Sequence, residues 1–400
     1  MESICWQALD IEIFLFNKLV DQRTYLIKNQ TFVIFKRLRI MKVFSFLIFA
    51  LLLACSDSQT LEAEPAVDAL YFPPLDNSQW ETVEPNDLGW NTEAIDDLET
   101  FLIEQETKAF IVLKDGRIAI EKYYGNDFFN REFTRESQWY WASAGKSLTA
   151  FLTGIAQNDG LLNIDDRTSD YLGNGWTTLT PAQENLITLK TQLQMTTGFD
   201  YDGGNLNCKD PICLNYKADA GSEWYYYNAP YLLLHDVIEN ASGTSYNQFT
   251  TESLSATGIN GSWRSTGGSN VFWSRPLDAA RFGLLNLNNG NWNGDQLVSE
   301  NFFTAMTTTS QQLNPSYGYL WWINGTDSTI FPGFADSFNR PVVRNAPDDM
   351  YSALGKNGQI IDVVPSMGLV IIRMGNSADD DLVPIQSHDL LWERINAVIN

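Results

Sequence analysis

Ser143 and Lys146 stand three residues apart in Trp141-Ala142-Ser143-Ala144-Gly145-Lys146-Ser147, at the start of an apolar-periodic segment. On a helix, positions i and i+3 share one face, so the Lys146 amine can reach the Ser143 hydroxyl. A lysine whose pKa is lowered by desolvation or by a nearby cation can take that proton and leave a nucleophilic serine. A serine at a helix N-terminus also presents its backbone N–H to a developing oxyanion. The plain alternative is an N-cap serine beside a solvated lysine. Two other chemistries fail on the residues. A phosphate-binding loop needs a glycine five positions before Gly145, where Tyr140 stands. A Gly-x-Ser-x-Gly elbow needs a glycine at Trp141 and a histidine base. The chain has two histidines, His235 and His388. Both fall in segments expected to be helical and are expected to be structural.

A second constellation is Trp224-Tyr225-Tyr226-Tyr227-Asn228-Ala229-Pro230-Tyr231. Here Tyr226 and Asn228 form Tyr-x-Asn. A phenolate beside an ammonium can be held ionised as a general base, and an amide two residues on can orient both the lysine and a substrate carbonyl. Alone, the segment reads as aromatic core. A third is Ala353-Leu354-Gly355-Lys356-Asn357-Gly358-Gln359. Glycines in a strand often mark close backbone approach to a ligand, and the plain alternative is a β-turn.

The elements that must position these residues are legible in outline. Residues 109–124 are two β-rich runs around Lys114-Asp115-Gly116, a hairpin signal. Strand-like runs recur at 351–354, 359–364 and 368–374, followed by a helix over about 382–399. Helical spacing appears at 143–158, 231–242 and 276–288. The expected fold is therefore mixed α/β: one antiparallel sheet built from both ends of the chain and flanked by helices, with a mainly helical lobe inserted.

In order and spacing, Ser143-x-x-Lys146, then Tyr226-x-Asn228, then the Gly-rich strand resemble the serine β-lactamase-like superfamily. The nearest branch looks like class C β-lactamases, related esterases and 6-aminohexanoate-dimer hydrolases. Residues 189–198, 279–285 and 291–294 resemble further segments of that family, and the resemblance spans about 95–375. It implies an acyl-enzyme on Ser143, proton transfer shared by Lys146 and Tyr226, and substrate positioning by Asn228. It implies an oxyanion hole from the Ser143 N–H and an N–H of the 355–358 strand. Lys356-Asn357-Gly358 departs from the family's Lys-Thr-Gly box, which leaves two registers open: Gly358 as the box glycine, or Gly355 with Lys356 as amide donor. The Lys356 side chain either binds a substrate carboxylate or points away. The expected activity is hydrolysis of an ester or amide. The competing readings are a β-lactamase, a penicillin-binding or D-Ala carboxypeptidase-type protein, or a non-catalytic ligand-binding surface lipoprotein.

With 400 residues, 44% of them hydrophobic, the chain can bury a substantial core. A formal net charge of −23 disfavours nucleic acid and anionic membrane surfaces as electrostatic partners. Residues 41–55 combine Lys42, an apolar run of secretory length and Leu52-Leu53-Ala54-Cys55, which resembles a bacterial lipobox. This implies cleavage before Cys55, its lipidation, and residence in the bacterial cell envelope, anchored and facing the periplasm or cell surface. The expected organisation is a spurious or non-structural extension over 1–40, a signal peptide over 41–54 and a tether over 55–75. A hydrolase domain follows over 76–400, with an α/β lobe from about 76–160 and 340–400 and a helical lobe from about 161–339. Cys208 and Cys213 lie in a polar Gly/Asn/Asp/Pro-rich loop of an exported protein and are expected to form a disulfide. Two cysteines without a nearby histidine fall short of a zinc shell. No metal or cofactor is expected, and the partner is a small ester, amide or peptide-like substrate of a monomer.

Overall fold

The computed structural model describes residues 70–75, 79–202, 204–377 and 382–400. Cys55, the signal segment and the tether up to residue 69 lie outside the described residues. Residues 68–400 make one compact unit.

The strands, in chain order, are β1 (Thr107–Lys114), β2 (Arg117–Tyr123), β3 (Trp139–Tyr140), β4 (Gly261–Thr266), β5 (Ser269–Ser274), β6 (Asn291–Trp292), β7 (Asp295–Gln296), β8 (Trp322–Ile323), β9 (Tyr351–Gly355), β10 (Gln359–Val364) and β11 (Leu369–Gly375). The main sheet runs β2-β1-β11-β10-β9-β8, and every neighbouring pair is antiparallel. Strand β1 near one end of the domain pairs with β11 near the other, Val112 facing Ile371. The expected sheet from both chain ends is present. Its first hairpin turns at Asp115 (φ 48°) and Gly116 (φ 85°). Two left-handed residues give the twist a tight hairpin needs.

Strands β9, β10 and β11 are buried at every position, because helices cover both faces. On one face lies the helix Pro276–Leu287. A Cβ at its Gly283 would strike Val370 of β11, so only glycine permits this close crossing. The other face carries the C-terminal helix Gln386–Ile399. There Asp362 of β10 accepts hydrogen bonds from Trp392 Nε1 (2.8 Å) and Ser352 Oγ (2.6 Å), and pairs with His388 Nε2 at 2.8 Å. Ile361 and Asp362 thus face opposite layers, following the two-residue period of a strand.

One expectation needs correction. Residues 70–75, assigned to the tether, belong to the domain: Phe72 meets Trp292 edge-on at 5.0 Å, and Tyr71 N donates to Asp115 O at 3.0 Å. Apolar rings drive this docking, which the proline and acid content of the segment obscured. The inserted region is mainly helical, as expected, and also carries strands. It contributes β4 and β5, which join β3 in a second sheet, and β8, the edge of the main sheet. The turn between β4 and β5 is Gly267-Gly268, both at positive φ.

Candidate active site

Strand β3 delivers the chain to Ser143. Trp141 is buried, its N–H donating to Phe272 O at 2.9 Å and its Nε1 to Ser274 Oγ at 2.8 Å. The next residue, Ala142, has φ 47°, unfavourable for a residue with a Cβ. Such conformations persist where surrounding packing imposes them, and they cluster at functional sites. Ser143 follows in a 3₁₀ turn (Ala142–Ala144) leading into the helix Gly145–Asn158.

Lys146 lies on the first turn of that helix, 3% exposed, with Nζ donating to Ser143 Oγ at 3.0 Å. Its amine is 4.9 Å from the Tyr226 ring centre and 4.1 Å from that of Tyr231. Burial alone lowers its pKa to about 7, because the ammonium form loses its hydration. Tyr226 is also buried. Desolvation raises its pKa well above that of an exposed phenol, and a hydrogen bond with Ser143 opposes the rise. Both effects favour the uncharged pair, amine and phenol, over ammonium and phenolate. Burial thus works against the ionised phenolate considered from sequence.

Tyr226 is held by Trp322 of β8, whose ring stacks on it at 5.8 Å. Tyr231 lies on the helix Asn228–Ser242 and bonds through its hydroxyl to Asn270 O at 3.0 Å. Sequence reading passed over both residues. Tyr231 carried a signal, since it follows Asn228 by three positions on one helical face. Trp322, nearly a hundred residues from Tyr226, carried none. Asn228 starts its helix but is not joined to Lys146. Its Nδ2 donates to Asn207 Oδ1 at 2.7 Å, and its Oδ1 is buried without a partner.

Gly355 ends β9 directly behind Ser143. A Cβ there would lie 2.5 Å from Trp141 O and 2.9 Å from Ser143 N. The residues after it form the β9–β10 turn rather than an extension of the strand. Lys356 is exposed, Asn357 has φ 64° and Gly358 φ 69°. Gly358 is tied away from Ser143, its carbonyl accepting from Arg373 Nη1 at 2.7 Å. Asn357 Nδ2 donates to Tyr140 Oη at 2.6 Å. Of the two registers open in the sequence, the structure places Gly355, not Gly358, against the serine. Lys356 follows it in the chain with its side chain outward.

The histidines lie elsewhere in the hydrogen-bond pattern. His235 is buried between Thr149 (Oγ1 to Nε2, 3.0 Å) and Asn270 (Nδ2 to Nδ1, 3.2 Å), stacked on Tyr246 at 3.9 Å. Burial holds its pKa well below the ordinary value, reinforced by the Lys209 and Lys146 charges. His388 serves the Asp362 network behind the sheet. Cys208 and Cys213 are disulfide-bonded. Among the described residues, no group of three or more His, Cys, Asp or Glu side chains could hold a metal.

The Beta-lactamase family model matches residues 102–389. An uncharacterized protein of Alkalihalophilus pseudofirmus is 22% identical over 309 residues, covering 69% of this chain and 85% of its own. Among solved structures, a Bacillus anthracis protein described as a 6-aminohexanoate-dimer hydrolase superposes with TM-score 0.60 at 17% identity, covering 82% of this chain and 88% of that one. A penicillin-binding protein homologue from Caulobacter crescentus gives TM-score 0.61 at 12% identity, over 80% and 99% of the two chains. A family VIII carboxylesterase gives 0.60 at 12% identity, over 79% and 98%.

Proposed function

Because this chain belongs to the beta-lactamase family, we propose that it is a serine hydrolase that cleaves an ester or amide through an acyl-enzyme on Ser143. The observation that carries this reading is the 3.0 Å contact between Lys146 Nζ and Ser143 Oγ, with the lysine buried and its pKa near 7. The Ser143 proton passes to the neutral Lys146 amine as Oγ bonds to the substrate carbonyl carbon. The carbonyl oxygen becomes the oxyanion, facing the N–H groups of Ser143 and Lys356. The proton then moves by way of the Tyr226 hydroxyl to the leaving oxygen or nitrogen as the scissile bond breaks. Water, giving its proton to the same pair, releases the acid and restores Ser143.

The substrate is a small ester, amide or peptide-like molecule. An outward Lys356 in a turn gives less support to β-lactams, whose carboxylate a Lys-Thr-Gly box would grip. We further propose export and a lipid anchor on Cys55, supported by Leu52-Leu53-Ala54-Cys55 after an apolar run. Membrane fractionation of Cys55→Ala, which should release the protein, tests the anchor.

The catalytic reading is tested by fluorophosphonate labelling with mass-spectrometric site mapping, then p-nitrophenyl esters, p-nitroanilides and nitrocefin. Wild-type protein should label on Ser143, and Ser143→Ala should lose labelling and turnover. Lys146→Ala and Tyr226→Phe should each slow turnover by about 10²–10⁴-fold. Labelling that persists in Ser143→Ala would remove this mechanism.

A further inference from the structure

Arg373 stands on β11 with its guanidinium inside the protein, 4% exposed. Its five hydrogen bonds all go to neutral oxygens: Nε donates to Thr107 Oγ1 at 3.1 Å, Nη1 to Asn357 O at 3.2 Å and Gly358 O at 2.7 Å, and Nη2 to Asn376 O at 2.7 Å and to Gln105 O. Every N–H of the guanidinium is thereby used. Burial lowers its pKa to about 10, so it remains charged at neutral pH. A buried charge is costly, and a carboxylate partner is its usual compensation. Here the charge instead strengthens bonds to backbone carbonyls.

Two of those carbonyls belong to the β9–β10 turn, at Asn357 and Gly358, both at positive φ. A Cβ on Gly358 would collide with Arg373 Nη1, so glycine here admits the guanidinium. Gln359 Nε2 grips the same turn, donating to Asn357 O at 3.1 Å and Lys356 O at 3.3 Å, and is itself fixed on Gly375 O at 2.6 Å. Asn357 Nδ2 ties the turn to Tyr140, on the strand that leads into Ser143. All three carbonyls from Lys356 to Gly358 are thus held by buried side-chain donors, directly after the Gly355 that packs on Ser143 N.

We propose that Arg373 is a positioning residue, whose guanidinium fixes the Asn357 and Gly358 peptides and so aims the Lys356 N–H at the developing oxyanion. The inference rests on the serine-hydrolase reading above, in which that N–H is the second oxyanion donor. Such a donor is effective when its direction is set before the charge forms. Arg373 touches no substrate. Its planar fork reaches several carbonyls at once, which the single nitrogen of a lysine does not.

The test compares a p-nitrophenyl ester with the thionoester of the same acid, in which C=S replaces C=O. Sulfur is a weak hydrogen-bond acceptor, so the thionoester gains little from the oxyanion donors. The readout is the ester-to-thionoester ratio of kcat/KM, measured against the same ratio for hydroxide. Wild type should exceed the hydroxide ratio. In Arg373→Met, which keeps an apolar stem, the wild-type ratio should fall about tenfold, the order of one weakened hydrogen bond to a charged oxygen. Arg373→Lys keeps the charge but not the fork; its ratio should also fall, and it carries the comparison should Arg373→Met fail to fold. His388→Gln loses a buried hydrogen bond behind the sheet and should keep the wild-type ratio, which separates aim from general stability. An unchanged ratio in folded Arg373→Met or Arg373→Lys, or an equal fall in His388→Gln, would overturn the inference. A wild-type protein that neither labels with fluorophosphonate nor turns over the ester, or whose ratio only matches hydroxide, would instead overturn the reading on which it rests.

Discussion

The amine of Lys146 lies 4.1 Å from the centre of the Tyr231 ring. The face of an aromatic ring stabilises a cation, while burial stabilises the neutral amine. The two oppose one another: burial lowers the lysine pKa to about 7, and the ring face works against that fall.

If neutral Lys146 is the base, kcat/KM should rise with pH through about 7 and then level. Replacing Tyr231 by Leu removes one ring that favours the ammonium. The limb should then move to lower pH by about one unit, the equivalent of losing a desolvated cation–π contact. A pH–rate profile of both proteins checks this, and a limb that stays in place would assign it to another group.

The same group affects stability. Its folded value of about 7 lies below the 10.5 of an exposed amine. Between these values the unfolded chain binds the extra proton, so unfolding free energy should rise with pH across that window. Below pH 7 the cost of burying the ammonium is fully present. Lys146→Met should therefore be more stable than wild type at pH 6.5, with the gap closing toward pH 10. Urea unfolding at several pH values measures it.

Gly355→Ala should act on rate. Its Cβ would force the end of β9 away from Trp141 O and Ser143 N, and a misplacement near 1 Å at a reacting centre costs about 10²-fold. Overpacking also costs about 1–3 kcal/mol of stability. Labelling kinetics and thermal unfolding separate the two effects.

The histidines should prove dispensable for chemistry. His235→Gln and His388→Gln each disturb a buried hydrogen bond and should lower stability by about 1–3 kcal/mol. Folded protein of either variant should label at close to the wild-type rate. Loss of labelling from folded His235→Gln would point to a histidine base.

What could be read from the sequence follows the range of the physics involved. The Asp115-Gly116 hairpin and the Ser143/Lys146 contact depend on neighbours within a few positions, and both lie where the residues placed them. Trp322 against Tyr226 joins distant segments and left no local trace. The same applies to Gly355, chosen over Gly358 by the tertiary approach of β9 to the Trp141–Ser143 backbone. One local signal was overlooked: Gly267-Gly268 between the runs holding Trp263 and Val271 marks a hairpin, and β4 pairs with β5 there.

The pairing of β1 with β11 sets an order of events for a chain made from its N-terminus. Arg373 Nε donates to Thr107 Oγ1 across 266 positions, so β1 must wait for nearly the whole chain before it gains its second neighbour. Closing so long a loop is slow, and partners of this separation fold late. Ser143 and Lys146 are synthesised long before Gly355, and until β9 arrives the serine lacks the wall behind it. An unfinished or truncated chain would therefore carry the serine–lysine pair without the site, and reactivity would begin only with completion of the last three strands.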